Sequence, residues 1–551
     1  MKYARLFDMR MKPLAASLAM LFAVGTASAQ GPSPDDSANP VVRSAKNISS
    51  RYALRLQQRL DRAERKIVVH ARSATPTGTG ATLPVTSCGD DPGDSGTLRN
   101  VLASAAEGDT VDLSALTCST ITLVNGPLDS SVLGEHPLYD VTLQGPGRDA
   151  LTIDAAGQSQ VLVVGGFYSD RGTFTANDLT IANGSYEGSL AGCIEGFGGT
   201  VALNRVSVTN CHASGHYDVV FGGAVDVTSL VMTDSSITNS SSTGTGSANT
   251  AEGAGAYVSD TATLTGSTVS GNVLAAPMAV IDGGYHTVGG GLYVRGDLTL
   301  TDSTISGNSI EATVDGENAP GGGIYVRGIT AISGSTIDGN TADGDGGGVF
   351  KAIFSVYGEP GGTNPQTTLT ITNSTFAGNI AARGGGIASS RPLYLSNSTI
   401  ANNTADGGGG GVLFLLTGVI DSAGVLDTKS SIIAANTVGG AAAFAADIDA
   451  DDVLTVTGAN NLVIDAGDVS LPADTLNVDP MLGPLQDNGG PTRTLALVPE
   501  SPAIDTGNND TALEFDQRGA GFPRVSGAGA DIGAYEYRSD VIFANGFDGA
   551  P

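Results

Sequence analysis

Several residue types are scarce in this chain. Among its 551 residues there is no tryptophan, there are four cysteines and five histidines, and only 15% of the residues are charged. No histidine lies in an HExxH or GxSxG setting, and no Cys/His pattern has the spacing of a zinc site. Lysine and arginine number 27 against 56 aspartates and glutamates, which gives a net charge of −29. This balance argues against nucleic acid and against an anionic membrane as partners of the main body.

Long hydrophobic runs are also missing after the first 30 residues, so we expect no transmembrane segment. Residues 1–29 have the features of a secretory signal peptide: a basic start, a short apolar run, and Ala27-Ser28-Ala29 as a cleavage site. We therefore predict that the protein is exported and is either secreted or held at the outer cell surface.

Basic residues are concentrated in the segment 30–87, which we interpret as an amphipathic helix followed by a linker. Apolar side chains recur at three- and four-residue spacing from Ile48 to Ile67, and arginines occupy the other sides. Two interpretations stay open: a solvated helix that pairs with the acidic body, or an interfacial membrane helix.

Glycine, in contrast, is abundant, with 78 residues. Much of it lies in a repeat, in which a Gly-Gly-Gly-aliphatic sequence leads to Ser-Thr-aliphatic and then to asparagine. The distance from the last position of the triplet to the asparagine is the same in four repeats, namely Gly255 to Asn272, Gly291 to Asn308, Gly323 to Asn340 and Gly386 to Asn403. Between these positions, aliphatic residues alternate with Ser and Thr at period two, which is typical of β-strands.

This repeat predicts an all-β fold in which short parallel strands stack as a β-helix over residues 88–475. Glycine suits tight backbone turns, and asparagine tolerates left-handed backbone angles. We also expect the stacked asparagine amides to bond from coil to coil. The apolar positions Leu98, Val101, Leu102 and Ala105 predict an amphipathic helix that caps the first coil.

The repeats resemble those of polymorphic outer membrane proteins and of other right-handed parallel β-helix proteins of the pectin-lyase-like superfamily. Residues 476–538 resemble the domain called choice-of-anchor Q, through segments such as Asp487-Asn488-Gly489-Gly490-Pro491-Thr492 and Asp531-Ile532-Gly533-Ala534-Tyr535-Glu536. The resemblance implies a secreted or cell-surface bacterial protein with a C-terminal cap, followed by a short tail, 539–551.

The four cysteines all follow the signal peptide, so they enter an oxidising compartment if the chain is exported. We predict the pairs Cys88–Cys118 and Cys193–Cys211, which is one of three possible connectivities. Free buried thiols are the alternative.

A row of candidate ligand-binding residues follows from aligning the glycine triplets. The second residue after the triplet is aromatic in four successive coils: Tyr257, Tyr293, Tyr325 and Phe350. The fourth residue is arginine in two of them, Arg295 and Arg327. If the neighbouring aliphatics face inward, the aromatic side chains form an outward strip that suits extended sugars, especially acidic ones. The alternative is that a bulge reverses the parity and the rings stack inside the coil.

An acidic turn supplies the one candidate for a cation. It contains Asp447, Asp449, Asp451 and Asp452 but lacks the glycine and the distal glutamate of a calcium loop. Calcium is a possible cofactor there, and a solvated charge cluster is the other interpretation.

Three functions remain compatible with the sequence. The first is non-catalytic binding or adhesion, with polysaccharides or host and cell-surface glycans as partners. The second is a polysaccharide lyase or glycosidase, which needs carboxylates stacked on one face. The third is an inert structural surface protein.

Overall fold

The computed structural model describes residues 80–129, 140–165, 172–188, 190–215, 220–244, 251–276, 287–312, 319–352, 367–415, 424–439 and 445–539. The predicted signal peptide, nearly all of the predicted basic helix and linker, and the tail after Ser539 lie outside the described residues.

The described chain forms a parallel β-helix whose coils have three faces, as the repeat predicts. Faces 1 and 2 belong to one 22-stranded sheet, because two long strands bend from one face into the other. Face 1 contains the strands Leu128–Asp129, Leu162–Gly165, Ile194–Asn204, Val225–Thr233, Ala256–Val258, Leu292–Val294, Ile324–Val326, Val349–Lys351, Ile387–Ser389, Val412–Phe414 and Ile448–Ala450.

Face 2 contains the second halves of the two long strands together with Thr82–Pro84, Thr110–Asp112, Thr142–Gln144, Thr173–Asn177, Ala262–Thr265, Leu298–Thr301, Thr330–Ser333, Leu369–Thr372, Leu393–Ser396, Gly424–Lys429 and Leu454–Ala459. Face 3 is a separate sheet of twelve strands: Thr120–Thr122, Thr152–Asp154, Thr180–Ala182, Ser207–Thr209, Ser236–Thr238, Thr268–Ser270, Thr304–Ser306, Thr336–Asp338, Thr375–Ala377, Thr399–Ala401, Ile432–Ala434 and Leu462–Val463.

The period-two pattern places one column of aliphatic side chains inside each face. On face 3, for example, Val208, Ile237, Val269, Ile305 and Ile337 lie directly above one another and are fully buried. Inward columns from all three faces meet in one continuous apolar core. Burying such a side chain contributes about 1.5–3 kcal/mol, so the stacked columns supply the main stabilisation of the coils.

Two internal polar ladders hold the turns between the faces. At the turn before face 3, the backbone N–H of one serine donates to the hydroxyl of the serine one coil later, from Ser235 through to Ser431. After face 3, the amides of the recurring asparagines bond in the same direction at 2.8–2.9 Å, from Asn272 to Asn436. The predicted asparagine ladder is therefore confirmed, and its side chains are buried.

The segments that follow the turn after face 3, a position held by Gly184, Cys211 and Ser240 and from Asn272 onward by asparagine, form an arm with sheets of its own. Five of them pair as Ser185–Glu187, His212–Gly215, Ser241–Gly244, Val273–Ala276 and Ser309–Ala312, and the returning chain pairs as Val220–Phe221, Ala251–Glu252 and Thr287–Val288. A small apolar cluster lies between them and includes Val220, Leu274 and Ile310. Farther along, a third short sheet joins Ile380–Ala381, Thr404–Ala405 and Thr437–Val438. The described strands of the arm thus pair in register from coil to coil.

One helix, α1 (Leu98–Ser104), occurs among the described residues. Thr97 caps its start, and Leu98, Val101 and Leu102 join the apolar core of the coils, as the amphipathic pattern predicts. Arg99 pairs with Asp90 within the same region at 2.7 Å.

Both predicted disulfides are present. Cys88 is bonded to Cys118, and Cys193 is bonded to Cys211, so the described chain has no free cysteine. The first bridge ties the segment before α1 to the start of face 3, and the second joins the start of one coil, just before Ile194–Asn204, to the end of the same coil, just after Ser207–Thr209.

Residues 476–538, which we call the strap, begin on the last coil and then run along the outside of face 3. Leu476 bridges Leu462 in the last coil. A hairpin of Leu482–Gln486 and Thr494–Leu497 then packs its apolar side chains against the outward alanines Ala377 and Ala401. The strap thus covers several coils from the side.

The outward column of face 3 changes where the strap covers it. In earlier coils the outward residues are Ser and Thr, as in Thr304 and Ser306, and they are half-exposed. From Thr336 onward every strand residue on this face is buried as far as Ala434. The hydroxyls of Thr336, Thr375 and Thr399 bond to the strap. In the last three covered coils the second outward position is alanine, Ala377, Ala401 and Ala434, and the hairpin of the strap packs on the first two of these.

Candidate functional site

The candidate aromatic residues lie in one outward row of face 1. Strand pairing aligns Tyr257 with Tyr293, then Tyr325, then Phe350, in register. Their ring centroids are 5.1–5.2 Å apart and the ring planes differ by 6–15°, so the four rings form a continuous stack. The aliphatic neighbours of these rings join the core of the coils, whereas the rings form a second cluster. The predicted alternation of inward aliphatics and outward aromatics is therefore present.

The aromatic stack is not an open strip, which corrects the expectation drawn from the repeat. Tyr293 is 1% exposed and Tyr325 is 2% exposed. Part of the reason lies in the arm, because Phe221 packs on the ring of Tyr257 at 4.7 Å and Val288 joins the same cluster. Burial also raises the pKa of the Tyr293 and Tyr325 phenols, so both stay neutral at physiological pH.

The two candidate arginines lie beside the stack and are half-exposed. The guanidinium of Arg327 is centred 5.5 Å from the ring of Tyr293 and 5.6 Å from that of Tyr325, which is within cation–π range. Arg295 lies next to Tyr257 and partly offsets the effect of burial, which raises the pKa of that phenol. The stack holds its four rings in fixed positions, and the half-exposed side chains of Arg295 and Arg327 form its solvent-accessible side.

The same outward row contains carboxylates that sequence reasoning did not align. Asp226 pairs in register with Tyr257, and Glu195 pairs with Asp226 one coil earlier. Both side chains are buried. The triplet is degenerate in these coils, since Ala224 and Cys193 stand where later coils have the third glycine. Extending the alignment through these substitutions would have found both carboxylates.

The four aspartates of the acidic turn do not converge on one point. The carboxylate of Asp447 accepts from Asn436 through one oxygen and from the backbone N–H groups of Ile464 and Asp465 through the other. Asp451 pairs with Arg383 at 3.2 Å. Asp449 and Asp452 accept from the backbone N–H of the next residue.

Within the described ranges, no group of three or more His, Cys, Asp or Glu side chains is placed to hold a metal ion. Asp449 and Asp452 instead line an acidic cleft of about 670 Å³ together with Asp465 and Asp468. Burial, and the nearby carboxylates of Asp451 and Asp465, raise the pKa of Asp449.

Asp447 has a structural role, because it ends the asparagine ladder. Replacing it by asparagine should lower the free energy of unfolding by about 1–3 kcal/mol, since the new amide NH₂ would face two backbone donors and leave them without acceptors. Chemical denaturation of Asp447→Asn measures the loss. Asp452→Asn, in the exposed part of the same turn, is the control and should change stability by less than about 0.5 kcal/mol. Equal stability of the two variants would contradict the role.

Face 2 offers an open surface that the glycine-triplet alignment did not reveal. Its first outward column runs through Thr263, Thr299, Ala331, Thr370 and Tyr394 in register. All five are exposed, and Tyr394 is exposed by 40%. The second column contains the hydroxyl side chains Thr265, Thr301, Ser333, Thr372 and Ser396.

The two columns form a flat surface without charged side chains, which we call the hydroxyl face. It ends at the next coil, where Asp427 and Lys429 lie 3.3 Å apart as an ion pair. Neighbouring coils are separated by about 4.8 Å, so the five coils extend the surface by about 20 Å.

No protein-family model, curated protein or solved structure matches the chain. Over the part of the chain that the structure describes, no helix is long and apolar enough to cross a membrane. The chain is a parallel β-helix with two disulfides, and its functional assignment rests on its own surfaces.

Proposed function

We propose that this chain is an exported, non-catalytic β-helix protein that binds extended glycans at the cell surface. Its repeats and its strap support membership of the pectin-lyase-like superfamily, with polymorphic outer membrane protein-type coils and a choice-of-anchor Q-like C-terminal segment. The sequence features of a signal peptide and the two disulfides support export.

The hydroxyl face is the observation that carries the proposal. A polysaccharide presents a repeating row of hydroxyls, and a flat array of Thr and Ser side chains offers both donors and acceptors to such a row. Tyr394 adds an exposed ring on which a sugar ring can stack. Aromatic stacking together with regularly spaced hydroxyls favours a polymer over a single sugar.

Charge narrows the class of glycan. The hydroxyl face is uncharged over its five coils, whereas the whole chain carries a net charge of −29. A polyanionic glycan would be repelled by the field of the protein. The proposal therefore favours neutral polysaccharides, in place of the acidic sugars that the row of Arg295 and Arg327 suggested.

Tyr394→Ala should weaken binding to a neutral polysaccharide by about tenfold, which corresponds to the 1–1.5 kcal/mol expected for loss of one stacking contact. Binding is measured by affinity electrophoresis in gels that contain one neutral and one acidic polysaccharide, after a glycan-array screen. The thermal midpoint of the variant should stay unchanged, because the ring is exposed.

Tyr293→Ala is the matched control, since it removes a tyrosine from the buried stack of face 1. It should lower stability and leave affinity unchanged. Binding that survives Tyr394→Ala, or binding that is lost only in Tyr293→Ala, would reject the hydroxyl face as the site.

A second candidate function, glycan cleavage, is favoured by the carboxylates of face 1. Glu195 and Asp226 lie on adjacent coils of one row and adjoin the aromatic stack. Paired carboxylates are the groups that glycosidic hydrolysis needs. Release of reducing or unsaturated sugar from the same glycans, measured with and without Ca²⁺, separates this function from binding alone.

A further inference from the structure

A buried basic cluster lies at the corner where face 1 turns into face 2, on the inner side of the coils. Lys351 pairs in register between Val326 and Ser389, so its side chain belongs to an inward column of face 1. It is 0% exposed. Its Nζ donates to the backbone carbonyls of Arg327, at 2.9 Å, and of Gly328.

Arg391 lies at the same corner, one coil later. Its backbone is fixed by Ser389, whose hydroxyl donates to the carbonyl of Arg391 at 2.8 Å and accepts from its N–H at 3.1 Å. The side chain is buried, with the residue only 7% exposed, and its Nε and Nη2 atoms have no hydrogen-bond partner among the residues that the structure describes. The hydroxyl of Thr367, which occupies the equivalent position on the preceding coil, also lacks a partner.

Among the described residues no carboxylate forms an ion pair with Lys351 or Arg391, and two such buried cations are expensive in free energy. Isolated charges in a protein interior are normally paired or neutralised, because burial removes their hydration. The charged groups that act on Lys351 are Arg391, which disfavours its protonated form, and Asp297, which favours it. Asp297 is itself exposed and accepts from the backbone N–H of Ile329 at 2.7 Å.

We propose that this corner binds one small monovalent anion, either chloride or a carboxylate, between the guanidinium of Arg391 and the ammonium of Lys351. The anion accepts from the two unpartnered guanidinium N–H groups and from the hydroxyl of Thr367. It supplies a negative charge beside the two cations.

Binding is coupled to protonation of Lys351. Burial is the main cause that lowers the pKa of this amine to about 7, and Arg391 adds to it. A bound anion favours the ammonium form, and by linkage the ammonium form favours the anion. The affinity for the anion should therefore fall as the pH rises from 6 to 9.

Line broadening of the ³⁵Cl NMR signal by the full-length protein tests the site directly. We expect broadening at pH 6 that is at least severalfold weaker at pH 9. Arg391→Met should abolish it, and Lys351→Met should reduce it and remove its pH dependence. Arg205→Met, an exposed arginine paired with Asp178, is the matched control and should leave the broadening unchanged.

Competition with formate distinguishes a site that is specific for chloride from one that also accepts carboxylates. If formate restores the narrow line, the site accepts carboxylates as well as chloride, whereas persistence of the broadening assigns it to halide. A chloride signal that is not broadened, or that is broadened equally by Arg391→Met, overturns the proposal.

Crystals of the wild-type protein soaked in bromide provide a test that does not depend on whether the variants fold. An anomalous peak beside Arg391 supports the site, and absence of a peak there overturns it.

Discussion

Asn403→Ala should lower the free energy of unfolding by about 3–6 kcal/mol, because it leaves two to three buried polar groups without partners at roughly 1–3 kcal/mol each. The Asn403 side chain accepts from the N–H and the amide of Asn379, and donates to the carbonyl of Phe376 and to Asn436. Alanine fills none of these roles. Equilibrium denaturation followed by circular dichroism measures the loss.

The neighbouring residue provides the control. Asn402 is exposed and has a φ of 61°, so glycine is the replacement that retains this backbone conformation. Asn402→Gly should change stability by less than about 0.5 kcal/mol. If Asn403→Ala and Asn402→Gly lower the free energy of unfolding equally, the hydrogen bonds of the ladder contribute little. Asparagine would then suit this turn only through its backbone preference.

Lys351→Met should stabilise the protein at pH 6 by roughly 4 kcal/mol in a buffer whose only anion is a bulky sulfonate, since a pKa lowered from 10.5 to about 7 corresponds to several times 1.36 kcal/mol. Methionine fills a similar volume without a charge. Low chloride is required, because a bound anion would restore the protonated amine and reduce the effect.

The sign of the pH dependence follows from linkage. Between pH 7 and 10.5 the unfolded chain holds a proton on Lys351 that the folded chain has lost, so the stability of the wild type rises with pH over this range. The advantage of Lys351→Met should therefore shrink by about 3 kcal/mol between pH 6 and 9.5. Lys429→Met, which removes a half-exposed lysine paired with Asp427, should show no such change. A constant difference between wild type and Lys351→Met across this range would contradict a lowered pKa.

The fold could be predicted from the sequence because the residues that determine it are local and repeated. Alternation at period two sets which residues face inward, and the constant distance from the glycine triplet to Asn308 or Asn340 sets the coil register. Cys193 and Cys211 stand at the start and the end of one coil of that register, which is why their pairing was predictable.

The candidate site was harder to predict from the sequence than the fold was. Whether its side chains are exposed depends on parts of the chain that lie outside the repeat. The alternation places Tyr293 on the outer side of its strand, but only the path of the arm determines that Phe221 packs on the neighbouring Tyr257. Glu195 and Asp226 escaped the alignment because their triplets are degenerate and a bulge lies between Gly196 and Thr200. Tyr394 was missed because a single aromatic on face 2 leaves no repeating signal.

The direction of the asparagine ladder has a consequence for how such a chain can grow. Each side-chain bond runs from an earlier coil to a later one, so every asparagine both receives and passes on the same pattern. Only the last side chain of the ladder must accept a hydrogen bond without donating one to a further coil. The carboxylate of Asp447 fills this role by accepting from the amide of Asn436. The coils from Asn272 to Asn436 share this one bonding pattern. Gene duplication or deletion could therefore alter the length of the protein in steps of one coil while the same terminator remains in use.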